Sequence, residues 1–88
     1  MNKYQYEVKQ IDAWRDPDGW YWNDVYHLGI LNTAAGTKQG LKKALIMFLN
    51  NAGILLNSRK ISFYYDGDVL EIHERFTGEP LFAMIPLF

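Results

Sequence analysis

Tyr4, Tyr6 and Val8 alternate with Gln5, Glu7 and Lys9, the period-two pattern of a strand with one buried face. The alternation slips at Gln10-Ile11, where a β-bulge would return Ile11 and Ala13 to the inner face. Asp16-Pro17-Asp18-Gly19 then predicts a β-turn, because proline pre-sets φ at the second position and glycine relaxes the exit. From Trp20 to Leu31 one parity carries Trp20, Trp22, Tyr26, Leu28 and Ile30, and the other carries Tyr21, Asn23, Val25, His27 and Gly29. The first, more apolar set is expected on the core face. The opening third of the chain therefore reads as one long hairpin.

The pattern changes period after a small-residue loop at Asn32 to Gly36. Thr37 is placed to cap a helix over Lys38 to Ala52, and Gly53 is a plausible stop. On a helical wheel Leu41, Ala44, Leu45, Phe48 and Ala52 form one stripe, which would lie across the sheet. Ile46 and Met47 fall outside it, among Lys43 and Asn50, and suit either a partner surface or a sheet edge. Ile61 to Tyr65 and Asp68 to Glu74 flank Asp66-Gly67, which predicts a two-residue hairpin pairing Phe63 with Leu70 and Ile61 with Ile72. Thr77-Gly78-Glu79-Pro80 predicts another turn, followed by a last strand in LFAMIPLF that Pro86 makes an edge or ends. The fold class is α+β: an antiparallel sheet of about five strands in the order ββαβββ, with one helix packed on one face. Tyr21, Asn23, His27, Tyr64 and His73 would lie on the other face.

At 88 residues, residues 1–88 fit a single domain with one core, and the 16% aromatic content supplies packing density. The chain has no cysteine, which rules out a disulfide framework, a thiolate zinc site and a cysteine nucleophile. No apolar segment reads as a signal peptide or a membrane span, so a soluble, cytoplasmic protein is expected, with no membrane partner. Nine basic and ten acidic side chains give a formal charge of -1, which argues against duplex nucleic acid as a partner. A local cationic patch could still hold a small anion.

The candidate chemistry is that of binding. His27 and His73 fall on different predicted strands without a metal-ligand spacing, and Ser58 and Ser62 lack a nucleophile context. No catalytic residue, metal or cofactor is expected, and the chain is read as a non-enzyme. AAGTKQG leads into the helix start, where free amides, the positive end of the dipole and Lys38 could meet an anion, although ordinary helix entry accounts for the same residues. All three tryptophans lie in DAWRDPDGWYWND. Trp20 and Trp22 suit the core, whereas Trp14 and Tyr21 near the turn, beside Arg15, suit a surface that grips a base, a nucleotide or a protein.

Ile11-Asp12-Ala13-Trp14-Arg15, then Gly19-Trp20 and Trp22-Asn23, with the Gly78-Glu79-Pro80-Leu81-Phe82 ending, resemble a group of small phage, prophage and mobile-element proteins of Gram-positive bacteria. The resemblance implies an accessory role against host defence, in the bacterial cytoplasm. The expectation is then a non-enzymatic binding protein that sequesters a small anionic ligand such as a nucleotide signal. Trp14 or Tyr21 would stack on the base, Asn23 would read its edge, Arg15 and Lys38 would neutralise phosphate, and Thr37 would hydrogen-bond it. The alternative is a protein–protein inhibitor of a host defence enzyme, using the Trp-rich hairpin. A homo-oligomer is expected through Ile46, Met47, Leu87 and Phe88, the apolar residues left over.

Overall fold

The computed structural model describes residues 4–87, so Phe88 of the expected interface lies outside the described residues. The chain runs β1 (Tyr4–Asp16), β2 (Gly19–Thr33), α1 (Lys38–Asn51), β3 (Ile61–Asp66), β4 (Val69–Glu74) and β5 (Pro80–Leu87). The strands form one antiparallel sheet in the order β2-β1-β5-β4-β3, with the helix on one face. The α+β class and the order ββαβββ hold.

Strand β1 has 13 residues and β2 has 15, and the difference is two bulges. Val8 opposes Gly29 and Lys9 opposes His27, leaving Leu28 extra; Asp12 opposes Asp24 and Ala13 opposes Trp22, leaving Asn23 extra. The slip expected at Gln10-Ile11 is absent: β1 keeps its alternation there, both irregularities are in β2, and Ile11 is buried on the face of Lys9 and Ala13 rather than on that of Val8. Each bulge switches the side-chain parity of β2, which corrects the expected core face. Leu31 is buried instead of Ile30, while Trp22 and Tyr26 are exposed and Trp20 and Leu28 half-buried.

The core cluster joins Val8, Leu31, Leu70, Ile72, Phe82 and Met84 of the sheet with Leu45 and Leu49 of the helix. The helix stripe is rotated from the expected one. Leu49 replaces the exposed Ala52, and Ile46 packs half-buried against the cluster. Thr37 caps the helix by accepting from the Gly40 amide at 3.0 Å, and Gly53 follows Ala52 at φ 83°. No acidic residue complements the first turn.

Strands β3 and β4 meet through Gly67-Asp68, with Tyr65 opposite Leu70 and Phe63 opposite Ile72. The expected register is thus shifted by two residues, which keeps the same side chains on the core face. Gly67 has φ 59° and Asp68 does not have positive φ, the requirement of a turn with glycine first rather than last. Strand β5 is interior over most of its length, but Pro86 falls where β5 is locally an edge, one residue before its end, so the edge-or-end expectation for that proline holds. The pairing of β5 with β4 ends at Met84, so at Pro86 only β1 is alongside and the missing N–H disturbs no second ladder.

Gly29 admits the helix. A Cβ there would meet Phe48 Cζ at 2.8 Å, so the ring rests directly on the β2 backbone. Gly29→Ala should therefore cost about 1–3 kcal/mol in denaturant unfolding, through overpacking and through a φ of 156° that L side chains rarely adopt. The same change should cost less in a Phe48→Leu background, where the space already exists.

Candidate functional site

Strand β5 pairs with β1 only from Gln5 to Gln10, whereas β1 and β2 stay paired as far as Asp16 and Gly19. Beyond Gln10 the hairpin is a two-stranded arm. Its tip is held by the Asp16 side chain, which accepts from the Asp18 amide at 2.8 Å. Molecular extents of 46 × 27 × 22 Å reflect this elongation.

Alternation divides the arm into two faces, because residues opposed across strands share a face. One carries Trp14 opposite Tyr21, Asp12 opposite Asp24, Tyr26 opposite Gln10, and Asp16. The rings of Trp14 and Tyr21 lie 5.8 Å apart, tilted by 43°, and are 55% and 46% exposed; Tyr26 is 51% exposed. Asn23 donates to Asp12 at 3.5 Å. Asp24, then burial and Asp12, push the Tyr26 hydroxyl above its ordinary pKa, a local mark of the negative field.

The second face carries Arg15 opposite Trp20 and Ala13 opposite Trp22. The Arg15 guanidinium lies 5.5 Å from the Trp20 ring centroid, and Trp20 Nε1 donates to the Thr77 carbonyl at 2.9 Å. That bond braces the arm against the β4–β5 turn. The turn is itself fixed by Glu74, whose carboxylate accepts from the Thr77 hydroxyl at 2.6 Å and the Thr77 amide at 2.7 Å. Those two hydrogen bonds hold the Glu74 pKa below the usual carboxylate range, against a smaller opposing effect of burial.

The expected ligand site is therefore split. Arg15 faces away from Trp14 and Tyr21, and their own face carries three Asp and no cation. Lys38, with Thr37 just before it at the helix cap, lies elsewhere, in a cleft with Tyr4 at the far end of β1. Ten residues separate Tyr4 from Trp14, roughly 30 Å at strand rise.

At that far end a cleft of about 680 Å³ is lined by Tyr4, Tyr6, Asn32, Lys38, Tyr65 and Asp68, among others. Lys38 Nζ lies 5.0 Å from the Tyr65 ring centroid, and the Tyr65 hydroxyl donates to the Lys38 carbonyl at 3.3 Å. Burial foremost raises the pKa of Tyr6 and Tyr65, so both hydroxyls stay protonated donors. Leu87 lines this cleft, while Ile46 and Met47 line a separate groove on the helix with Phe63. The expected interface residues thus fall in two places. Sequence reasoning missed Tyr4, Tyr6, Tyr65 and Asp68 as neighbours, and missed Tyr26.

The sheet face away from the helix holds His27, Tyr64 and His73 as expected, with Lys9 and Glu71 in the row of His27 and Tyr64. Tyr21, expected there too, shares the opposite face with Trp14 because of the β2 bulge at Asn23. His27 Nδ1 meets Glu7 at 2.7 Å, and His73 Nε2 meets Glu71 at 2.9 Å while stacking on Tyr64. Among the described residues no three His, Cys, Asp or Glu side chains gather as metal donors, and no helix is long and apolar enough to cross a membrane. No family model, curated protein or solved structure matches the chain.

Trp20→Phe keeps the ring but removes the donor to Thr77. Arm amides should then exchange faster with deuterium than those of the β4–β5 ladder. The depressed Glu74 pKa means its contribution is present above the unfolded carboxylate value and lost as pH falls through the folded one. In thermal melts the deficit of Glu74→Gln against the unaltered protein should be full at neutral pH and shrink as the pH falls below the usual carboxylate range.

Proposed function

We propose that the chain is a non-enzymatic binding protein that captures a protein partner with the Trp14, Tyr21 and Tyr26 face of its arm, the protein–protein alternative of the anti-defence role that its resemblance to mobile-element accessory proteins implies. The carrying observation is the exposure of these three rings on a braced two-stranded element lined by Asp12, Asp16 and Asp24. Rigid aromatic side chains on a preformed support are the usual anchors of protein interfaces, because they bury large area at little entropic cost. The surrounding carboxylates select a partner with a basic rim around an apolar pocket, since complementary charge speeds encounter and rejects like-charged surfaces. The same carboxylates disfavour a nucleotide on this face, and Arg15 is turned to Trp20.

One observation favours the second reading, capture of a small anionic ligand such as a nucleotide signal. The tyrosine cleft joins aromatic walls to Lys38 at the positive end of the helix. Asp68 in the same wall opposes an anion, which ranks this reading second.

Native mass spectrometry of protein purified from defence-competent bacteria tests both. The arm reading expects a retained polypeptide, lost at least tenfold when Trp14→Ala and Tyr21→Ala are combined in a chain with unchanged melting. A retained small mass that survives this pair of changes and disappears with Lys38→Ala would overturn it in favour of the cleft.

A further inference from the structure

The groove on the outer side of α1 is complementary to the arm. It occupies about 410 Å³ between the helix and the edge strand β3, with Phe63, Ile46 and Met47 as apolar lining and Lys42 and Lys43 beside them. Met47 is 65% exposed. Lys42 Nζ lies 5.3 Å from the Phe63 ring centroid, holding a cation at the aromatic wall. The helix carries Lys38, Lys42 and Lys43 and no acidic residue. All three lie in its first two turns, where the macrodipole is already positive. Among the described residues no carboxylate forms an ion pair with any of them.

The arm presents the opposite charge together with exposed aromatic side chains. Residues 11–25 hold Asp12, Asp16, Asp18 and Asp24 against Arg15 alone, and the exposed indole of Trp14 heads the acidic face. An arm cannot reach its own groove. The groove wall Phe63 lies three strands across the sheet from Gln10, while the arm runs on past Gln10 along the strand direction.

We infer that the arm of one copy docks in the Lys43–Met47 groove of another, giving a head-to-tail self-association. This rests on the reading of the arm as a docking element. Both halves of the complementarity are present in one chain: an aromatic knob ringed by carboxylates, and an apolar groove flanked by unpaired ammonium groups. The contact is heterologous, so it grows or closes a ring rather than stopping at a two-fold dimer. The groove is lined by only a few residues and its charges lie at the rim, which makes the contact weak and salt-sensitive. A foreign partner with a better pocket displaces the second copy by competing for the same face.

Sedimentation velocity on the full chain between about 10 μM and about 1 mM, the range for a weak contact, tests the inference. The mean mass should climb above 10.3 kDa with concentration and fall back as salt is added. An arm variant, Trp14→Ala with Tyr21→Ala, and a groove variant, Lys43→Glu with Met47→Gln, should each remain monomeric. All four side chains are exposed, and circular dichroism verifies that both variants keep the fold. Mixed together they should form a 1:1 pair that grows no further, because one supplies an intact groove and the other an intact arm. A protein that stays monomeric throughout, association that both variants retain, or variants that fail to pair on mixing would each overturn it. Capture of a foreign polypeptide by the groove variant, whose arm is intact, is read separately. Capture without self-association removes this inference alone, and self-association without capture removes the arm's role against a foreign protein alone.

Discussion

The β1–β5 ladder ends at Gln10, and the exposed architecture follows from that one limit. Up to Gln10 the first hairpin is part of a five-stranded sheet roofed by a helix, and its inward side chains, Val8 and Leu31, are buried. Past Gln10 the same two strands continue with no third strand hydrogen-bonded and no helix above them. Side chains that alternation would send to a core instead meet solvent. Trp14 and Tyr21 are exposed for this reason, and not because the local sequence is polar; Tyr26, opposite Gln10 at the limit of the ladder, is exposed on the sheet's edge strand.

An unsupported two-stranded ribbon is at best marginal in water, so the arm needs help from outside its own ladder. Trp20 supplies it. Its indole is half-buried, meets the Arg15 guanidinium from within the arm, and donates to Thr77 on the β4–β5 turn. That turn would be a poor anchor if it were loose, and Glu74 prevents this by accepting two hydrogen bonds from Thr77. Two tryptophans of one arm thus have opposite tasks. Trp20 holds the element in place, and in the proposed capture of a partner that support lowers the ordering cost that Trp14 would otherwise meet.

Local chemistry was legible in the sequence, and long-range placement was not. Thr37, Gly53 and the turn at Asp16 to Gly19 act over a few residues, and the structure uses each of them as their side-chain and φ preferences dictate. The apolar faces of β3 and β4 were readable for the same reason, since a register shift of two leaves parity unchanged. Strand β2 was misread because Leu28 and Asn23 are extra only relative to β1, and nothing within β2 marks a residue as unpaired. The acidic character of the arm was visible as four Asp around the tryptophans. Its division into an Arg15 face and an Asp face depended on which residues are opposed across the hairpin. The tyrosine cleft was beyond reach, because Tyr4 and Tyr6 on β1 and Tyr65 on β3 come from two strands far apart in the chain.

Charge is nearly balanced over the whole chain and unbalanced within it. A formal charge of -1 conceals an arm with three excess carboxylates and a helix with three lysines and no acid. Neither arrangement favours the isolated fold. Aspartates grouped on one ribbon face repel one another, and lysines near a helix N-terminus oppose the dipole, where acidic residues would have been stabilising. Mixing these charges would have given a more stable surface. The segregated pattern gives each end of the molecule a field of one sign over exposed apolar side chains, and such a pairing of field and apolar surface selects an oppositely charged partner over water.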